Sequence, residues 1–440
     1  MSIRPLSAAR TLLVGALVGA FVGLASSSAQ ADSITGTLPV SQAGYGIVLS
    51  PDGGTAYTGG QNGILSAVDL ASGTSTSLNL GSQTVGMDLS ANGSILYAAT
   101  QQGIAVLDTE TLSLTATWGA SVFWDVLLVP DETYAVATAV DTGELVFFDT
   151  ATGAELTRVP IGSTPSTVTL SPDATQAWVT DRAANTVSVV DLSTRTVVRS
   201  ITTDTGPWGL AFSPDGSTVF VANSFDNSVS VINVATGATV SQLATGDWPA
   251  EIVPSNDGRR LYVANYVSSS IAVIDAESAT IVQTITGVAS PWDLAITPSG
   301  SIAYALAANS PLITVLELDV SPAISPATSP AATVGSAYSF GIAAGGSPAP
   351  TFAITAGTLP SGLVLDAATG VISGTPTTAG TSTFTVTATN SIGTDSESFS
   401  ITVSAVAALA ATGTDATPGF VAAGLLLLLG VLALRRRRTA

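Results

Sequence analysis

Three carboxylates and four large aromatics stand at matching places in this 440-residue chain. A pattern that returns about every forty residues puts Tyr45, Val85, Trp124, Ser166, Trp208, Ala250 and Trp292 in register. The position after each holds Gly46, Gly86, Asp125, Thr167, Gly209, Glu251 and Asp293, and Trp248 lies two residues before Ala250. If these places converge, Asp125, Glu251 and Asp293 can offer oxygens to a hard cation such as Ca²⁺ or Mg²⁺. The indoles can stack on sugar rings or face a cation. Paired acids also suggest glycoside hydrolysis, although turn and strand-end Asp recurs in every copy. The plainer alternatives are solvated charges on a rim and a Pro-Trp pair that packs between neighbouring repeats.

Composition removes other chemistries. There is no His, no Cys and no Lys; all 12 basic residues are Arg. Ser-His-Asp and Cys-His constellations cannot be built, and the commonest transition-metal ligand is missing. No disulfide framework exists, and no phosphate loop ending in Gly-Lys. The net charge is −19, and between Asp32 and Thr412 six arginines face 30 acids, a charge of −24. Such a surface repels phosphate backbones, so nucleic acid is not an expected partner. Arg259 and Arg260 adjoin in a turn and read as a surface pair.

The elements that must position these residues are strands. Ser50-Pro51-Asp52-Gly53 returns as Ser90-Ala91-Asn92-Gly93, Val129-Pro130-Asp131-Glu132, Ser171-Pro172-Asp173-Ala174, Ser213-Pro214-Asp215-Gly216, Ser255-Asn256-Asp257-Gly258 and Thr297-Pro298-Ser299-Gly300. Ser, Pro and Gly in this order favour a type I turn. In residues 208–243 the turn separates Trp208–Phe212 from Val219–Ala222; Val229–Ile232 and Ala238–Leu243 follow. Helical periodicity is missing, and four short strands per copy predict propeller blades. The seventh copy supplies only three strands, Trp292–Ile296, Ala303–Leu306 and Ile313–Leu316. Ser33–Leu38, ahead of the first copy, resembles a fourth strand and is expected to complete the last blade, leaving no open edge.

Tyr262-Val263-Ala264-Asn265, Phe220-Val221-Ala222-Asn223 and Trp178-Val179-Thr180-Asp181, with Val189-Val190-Asp191 and Val273-Ile274-Asp275, carry a resemblance to the YVTN family of β-propellers. The resemblance covers about 33–319 and implies a fold, not an activity, because such propellers host many functions. Lactonases, lyases and quinone-dependent dehydrogenases occur on them; the missing His argues against the lyases.

Val320–Ala332 has three prolines at a spacing of four and reads as an extended linker. Residues 333–404 lose the repeat. Leu359-Pro360-Ser361-Gly362-Leu363 and Thr369-Gly370-Val371-Ile372-Ser373-Gly374-Thr375-Pro376 resemble the Ig domains of bacterial surface proteins, which share a cadherin-like sandwich. Some of those relatives bind Ca²⁺; the candidates here are Asp366, Asp395 and Glu397, and the alternative is a plain spacer. No other cofactor is expected.

The two ends predict export. Arg4 and Arg10 precede an apolar stretch, and Ala29-Gln30-Ala31 is a small-residue cleavage site, so the mature chain should start at Asp32. At the other end stand Leu409-Ala410-Ala411-Thr412-Gly413, an apolar run from Gly419 to Leu434, and four arginines from 435 to 438. The run is short of the ~20 residues of a comfortable span, and the arginines resist translocation. The layout resembles a sortase sorting signal of the LAxTG type, associated with class E sortases of actinobacteria. It implies cleavage after Thr412 and linkage of Thr412 to peptidoglycan; the alternative is a plain membrane anchor.

The expected protein is all-β: signal peptide 1–31, seven-bladed propeller 32–319, linker 320–332, Ig/cadherin-like sandwich 333–404 and sorting signal with a hydrophobic helix 405–440. It is expected to be a monomeric, non-catalytic wall-anchored protein of a Gram-positive bacterium. Its partners would be sortase, peptidoglycan, the membrane through a transient helix, and an extracellular glycan or protein. A displayed propeller enzyme and a passive envelope component are the rivals.

Overall fold

The computed structural model describes residues 32–406 except Ser391. The signal peptide, the Leu409–Gly413 motif and the apolar run fall outside them. Among the described residues there is no helix.

Seven four-stranded antiparallel sheets follow the repeat, one per copy. In blade 5 the strands are Pro207–Phe212, Thr218–Asn223, Ser228–Asn233 and Thr239–Ala244, in that spatial order from the innermost outward. The middle strands are buried on both faces because each blade packs between two others. Phe220, Ala222, Val229 and Val231 of blade 5 share one cluster with Ile252, Leu261, Val263 and Ile274 of blade 6. This two-sided burial explains why Thr218–Asn223 runs apolar from Val219 to Ala222 without alternation.

The repeated turn also joins blades. Ser213 Oγ donates to Asp215 Oδ1 at 2.6 Å, Ser217 N donates to the same oxygen at 3.0 Å, and Thr218 N donates to Ser213 Oγ at 3.0 Å. The Ser213 hydroxyl, first among these donors, holds the Asp215 carboxyl down at about 2. Gly216 has φ +68°, and a Cβ there would lie 3.3 Å from Pro172 of blade 4. Gly53 stands likewise against Pro298 of blade 7, so the turns interlock around the ring.

Closure follows the expectation. Ser33–Pro39 pairs with Leu312–Glu317, Ser33 opposite Glu317 and Pro39 opposite Leu312, and becomes the outer strand of blade 7. Ile47, Ala56 and Val68 of blade 1 pack with Ala295, Tyr304 and Leu306 of blade 7. The leading strand is pinned at its start. Asp32 is buried, accepts from Asp319 N at 2.6 Å and pairs with Arg260 Nη1 at 3.1 Å. Arg260 is therefore not half of a surface pair. It opens the second strand of blade 6, Arg260–Asn265, and reaches a carboxylate whose side chain is 0% exposed.

The chain forms two compact units. One takes the chain up to Pro326 with Ala343–Ala353 and Thr387–Glu397; the other takes Ala327–Ile342, Ile354–Val386 and the chain from Ser398. Val320–Ile324, inside the proline-rich stretch, is a strand paired with Ala344–Ser347. Its ladder is irregular between Val320 and Ala323, around Pro322, which has no N–H to give. In the second unit Phe399 meets Phe340 edge-on and stacks against Phe384, in a core with Ile372, Val386 and Ile401.

Candidate functional site at the channel mouth

The innermost strands of successive blades pack side by side around the ring. Each starts at one end of the channel and finishes at the repeated turn. Residues in register therefore meet at one end, and the structure brings most of the expected set together there. A cavity of about 210 Å³ is lined by Tyr45, Trp124, Trp208 and Trp292, and by Asp125, Glu251 and Asp293.

The carboxylates are not solvated rim charges. Asp125 Oδ1 accepts from its neighbour Val126 N at 2.9 Å, and Oδ2 accepts from Val168 N in blade 4 at 2.9 Å. Asp293 repeats this across the closure, accepting from Leu294 N at 2.7 Å and from Ile47 N in blade 1 at 3.0 Å. Asp88, not among the aligned positions, does the same to Leu89 N and to Leu128 N in blade 3, both at 2.8 Å. Each is a staple between adjacent inner strands. Glycines make room beside them. A Cβ on Gly86 would lie 2.1 Å from Asp125 Oδ1, and one on Gly209 would lie 2.7 Å from Glu251 Oε1.

Burial pushes Asp125 and Asp293 up to about 7 and Asp88 up to about 6, against the pull of those N–H donors. Glu251 is raised well above the usual range, first by burial and then by the charges of Asp293 and Asp125. Among the described residues no group of three or more acids is placed to hold a metal ion. Of the other acids considered for Ca²⁺, Asp366 closes a turn through Ala368 N and Thr369 N, both at 2.9 Å. Asp395 accepts from Ile324 N at 2.7 Å and from Ser396 N at 2.8 Å. Glu397 is exposed.

The aromatics form one continuous belt. Trp124 meets Trp208 at 5.3 Å between centroids, Trp208 meets Trp292 at 5.1 Å, and Tyr45 meets Trp292 at 4.8 Å. From Trp292 the belt runs on to Tyr266 at 5.3 Å, Trp248 at 6.3 Å from Tyr266, and Phe225 at 5.3 Å from Trp248. Trp208 is buried by these contacts, whereas Phe225 is 52% exposed. Trp248 has φ +57°, where the matching residue of blade 5 is Gly206 at +70°. A bulky residue in this region is strained.

Tyr266, Phe225 and Arg182 were not among the aligned positions. They sit in the loops between second and third strands, which return to the same mouth. Tyr266 and Arg182 directly follow Asn265 and Asp181, the last residues of two motif tetrapeptides, and this was their only signal. The Arg182 guanidinium lies over three rings, 5.1 Å from the centroid of Trp208, 4.7 Å from that of Phe225 and 5.7 Å from that of Trp248.

Comparison with known proteins agrees with this architecture. Two family models match. The one described as "Lactonase, 7-bladed beta-propeller" covers residues 162–332, and the one described as "Putative Ig domain" covers 321–404. No curated protein matches the chain. Among solved structures the chain is similar to a hydrazine synthase chain of Kuenenia stuttgartiensis, at 18% identity and a TM-score of 0.56. The match covers 64% of this chain and 97% of that one. At this identity the likeness speaks for the propeller fold alone.

Proposed function

We propose that the protein is a non-catalytic, wall-anchored surface protein of a Gram-positive bacterium, whose aromatic belt binds an extracellular glycan. The belt is the observation that carries this reading: seven rings in unbroken contact across one channel mouth. A strained Trp248 stands in it where glycine serves blade 5. Indole faces suit the C–H faces of pyranose rings. The non-catalytic half is supported by the staples, which give Asp125 and Asp293 a structural task in joining blades. Wall attachment rests on the Leu409–Gly413 motif with its arginine tail.

Two experiments test the reading. Trp124→Ala with Trp292→Ala should abolish binding on a glycan array while the thermal unfolding midpoint stays within a few degrees (about 2–4 °C per kcal/mol for a domain of this size). Undiminished binding would remove the site. In cells, muramidase but not detergent should release the protein; detergent extraction of the full chain would defeat the anchor.

A further inference from the structure

Arg182 is the one arginine at the belt, and its side chain has no anionic partner. It makes no hydrogen bond and has no carboxylate within 4 Å among the described residues, and its Nε is buried with no hydrogen-bond acceptor. Arg158 is matched to Glu144 and Glu155, and Arg260 to Asp32, whereas Arg195 also lies over rings without an ion pair, those of Tyr134 and Phe147. Three acids of the mouth loops, Asp181, Asp204 and Asp226, are already committed. Asp181 accepts from the backbone N–H groups of Thr164, Ala183 and Ala184. Asp204 accepts from Gln242 Nε2 at 2.6 Å, and Asp226 from Thr205 N at 2.6 Å. What sets Arg182 apart from Arg195 is that it stands on three rings of the belt with its Nε buried and without an acceptor.

We propose that Arg182 is the charge-selecting subsite of the belt, and that the ligand is a saccharide carrying a carboxylate beside the ring that stacks. This rests on the glycan reading above. The guanidinium fork matches a planar carboxylate, and stacking on Trp208, Phe225 and Trp248 fixes its direction in advance. Burial among the rings also pushes the guanidinium pKa down, as expected of a cation partly withdrawn from water. The net charge opposes a dense polyanion, so the acidic group is sparse along the glycan.

The test uses the full chain and a panel of uronate-containing oligosaccharides, each offered as the free acid and as its methyl ester, with affinities from titration calorimetry. At least one free acid should bind about tenfold more tightly than its ester, the scale of one charge-assisted hydrogen-bonded pair. Arg182→Gln should remove that difference between acid and ester. Arg182→Lys, which keeps the charge but not the fork, should restore part of it. Equal binding of acid and ester overturns the inference and leaves the glycan platform standing. So does equal weakening of both by Arg182→Gln. If no saccharide of the panel or of a neutral set binds, both readings fall.

Discussion

Glu251 is the least supported carboxyl of the channel. Its one backbone donor is Ile252 N, at 3.3 Å, whereas Asp125 and Asp293 each have two donors on two strands. Asp125 and Asp293 hold protons in the folded state to about pH 7, but only to about pH 4 when unfolded, and burial raises Glu251 in the same direction. Between those values the native state binds more protons, so stability falls as pH rises. The turn aspartates act in the opposite sense. Asp52, Asp173 and Asp215 are lowered by their Ser partners, so their contribution is lost only as pH falls below about 4. The unfolding midpoint should therefore peak near pH ~4–5 and decline toward pH 8. Glu251→Gln should raise it at pH 8 by about 2–4 °C and change it little at pH 5. A flat profile, or a loss at both pH values, would contradict this account. At this scale the aligned aromatics were legible in the sequence because the repeat numbers them. The staples were not, since Asp293 finds its second donor on Ile47, across the closure. Arg182 was not, because its meaning lies in partners it lacks.

Each blade is an element that must come close to its neighbours, and glycine sets how close. Gly46 opens on no unusual dihedral, yet a Cβ there would lie 1.9 Å from Val85 O in blade 2. A backbone oxygen of a paired strand cannot yield cheaply. Gly46→Ala should cost about 1–3 kcal/mol, the range of overpacked sites, measured by denaturant unfolding. Gly36→Ala, with nothing within 4 Å, is the control and should be near neutral. Equal effects would mean that the inner strands have slack. The blades themselves were legible from turn chemistry: Ser, Asp and Gly at fixed offsets each do a task that the hydrogen bonds display. What the turn pattern did not reveal was the strand Val320–Ile324 within a run of prolines, because pairing with Ala344–Ser347 is a tertiary event that local composition does not encode.

The whole molecule depends on one crossing of its own sequence. Asp32 and Arg260 are 228 residues apart and join the leading strand to blade 6. Arg260→Ala would leave a buried carboxylate unpaired, and breaking such a pair costs about 3–5 kcal/mol. Asp32→Asn with Arg260→Ala should cost less than Arg260→Ala alone, because the second change removes the stranded charge. A double-mutant cycle with no coupling would show that the pair is incidental. The closing strand was foreseen from a missing fourth strand at one end and a spare one at the other. Its salt bridge was not, because the two adjacent arginines carry no mark of which one turns inward. A polypeptide is made from its first residue onward, so Ser33–Pro39 emerges before any partner exists. It must stay unattached until Leu312–Glu317 arrives, nearly three hundred residues later. The segment formed earliest is thus the last to be zipped, and the ring cannot be finished on a half-made chain. Its final step is a slow, long-range search, in which the exposed edge of the seventh blade is open to any other strand that comes by.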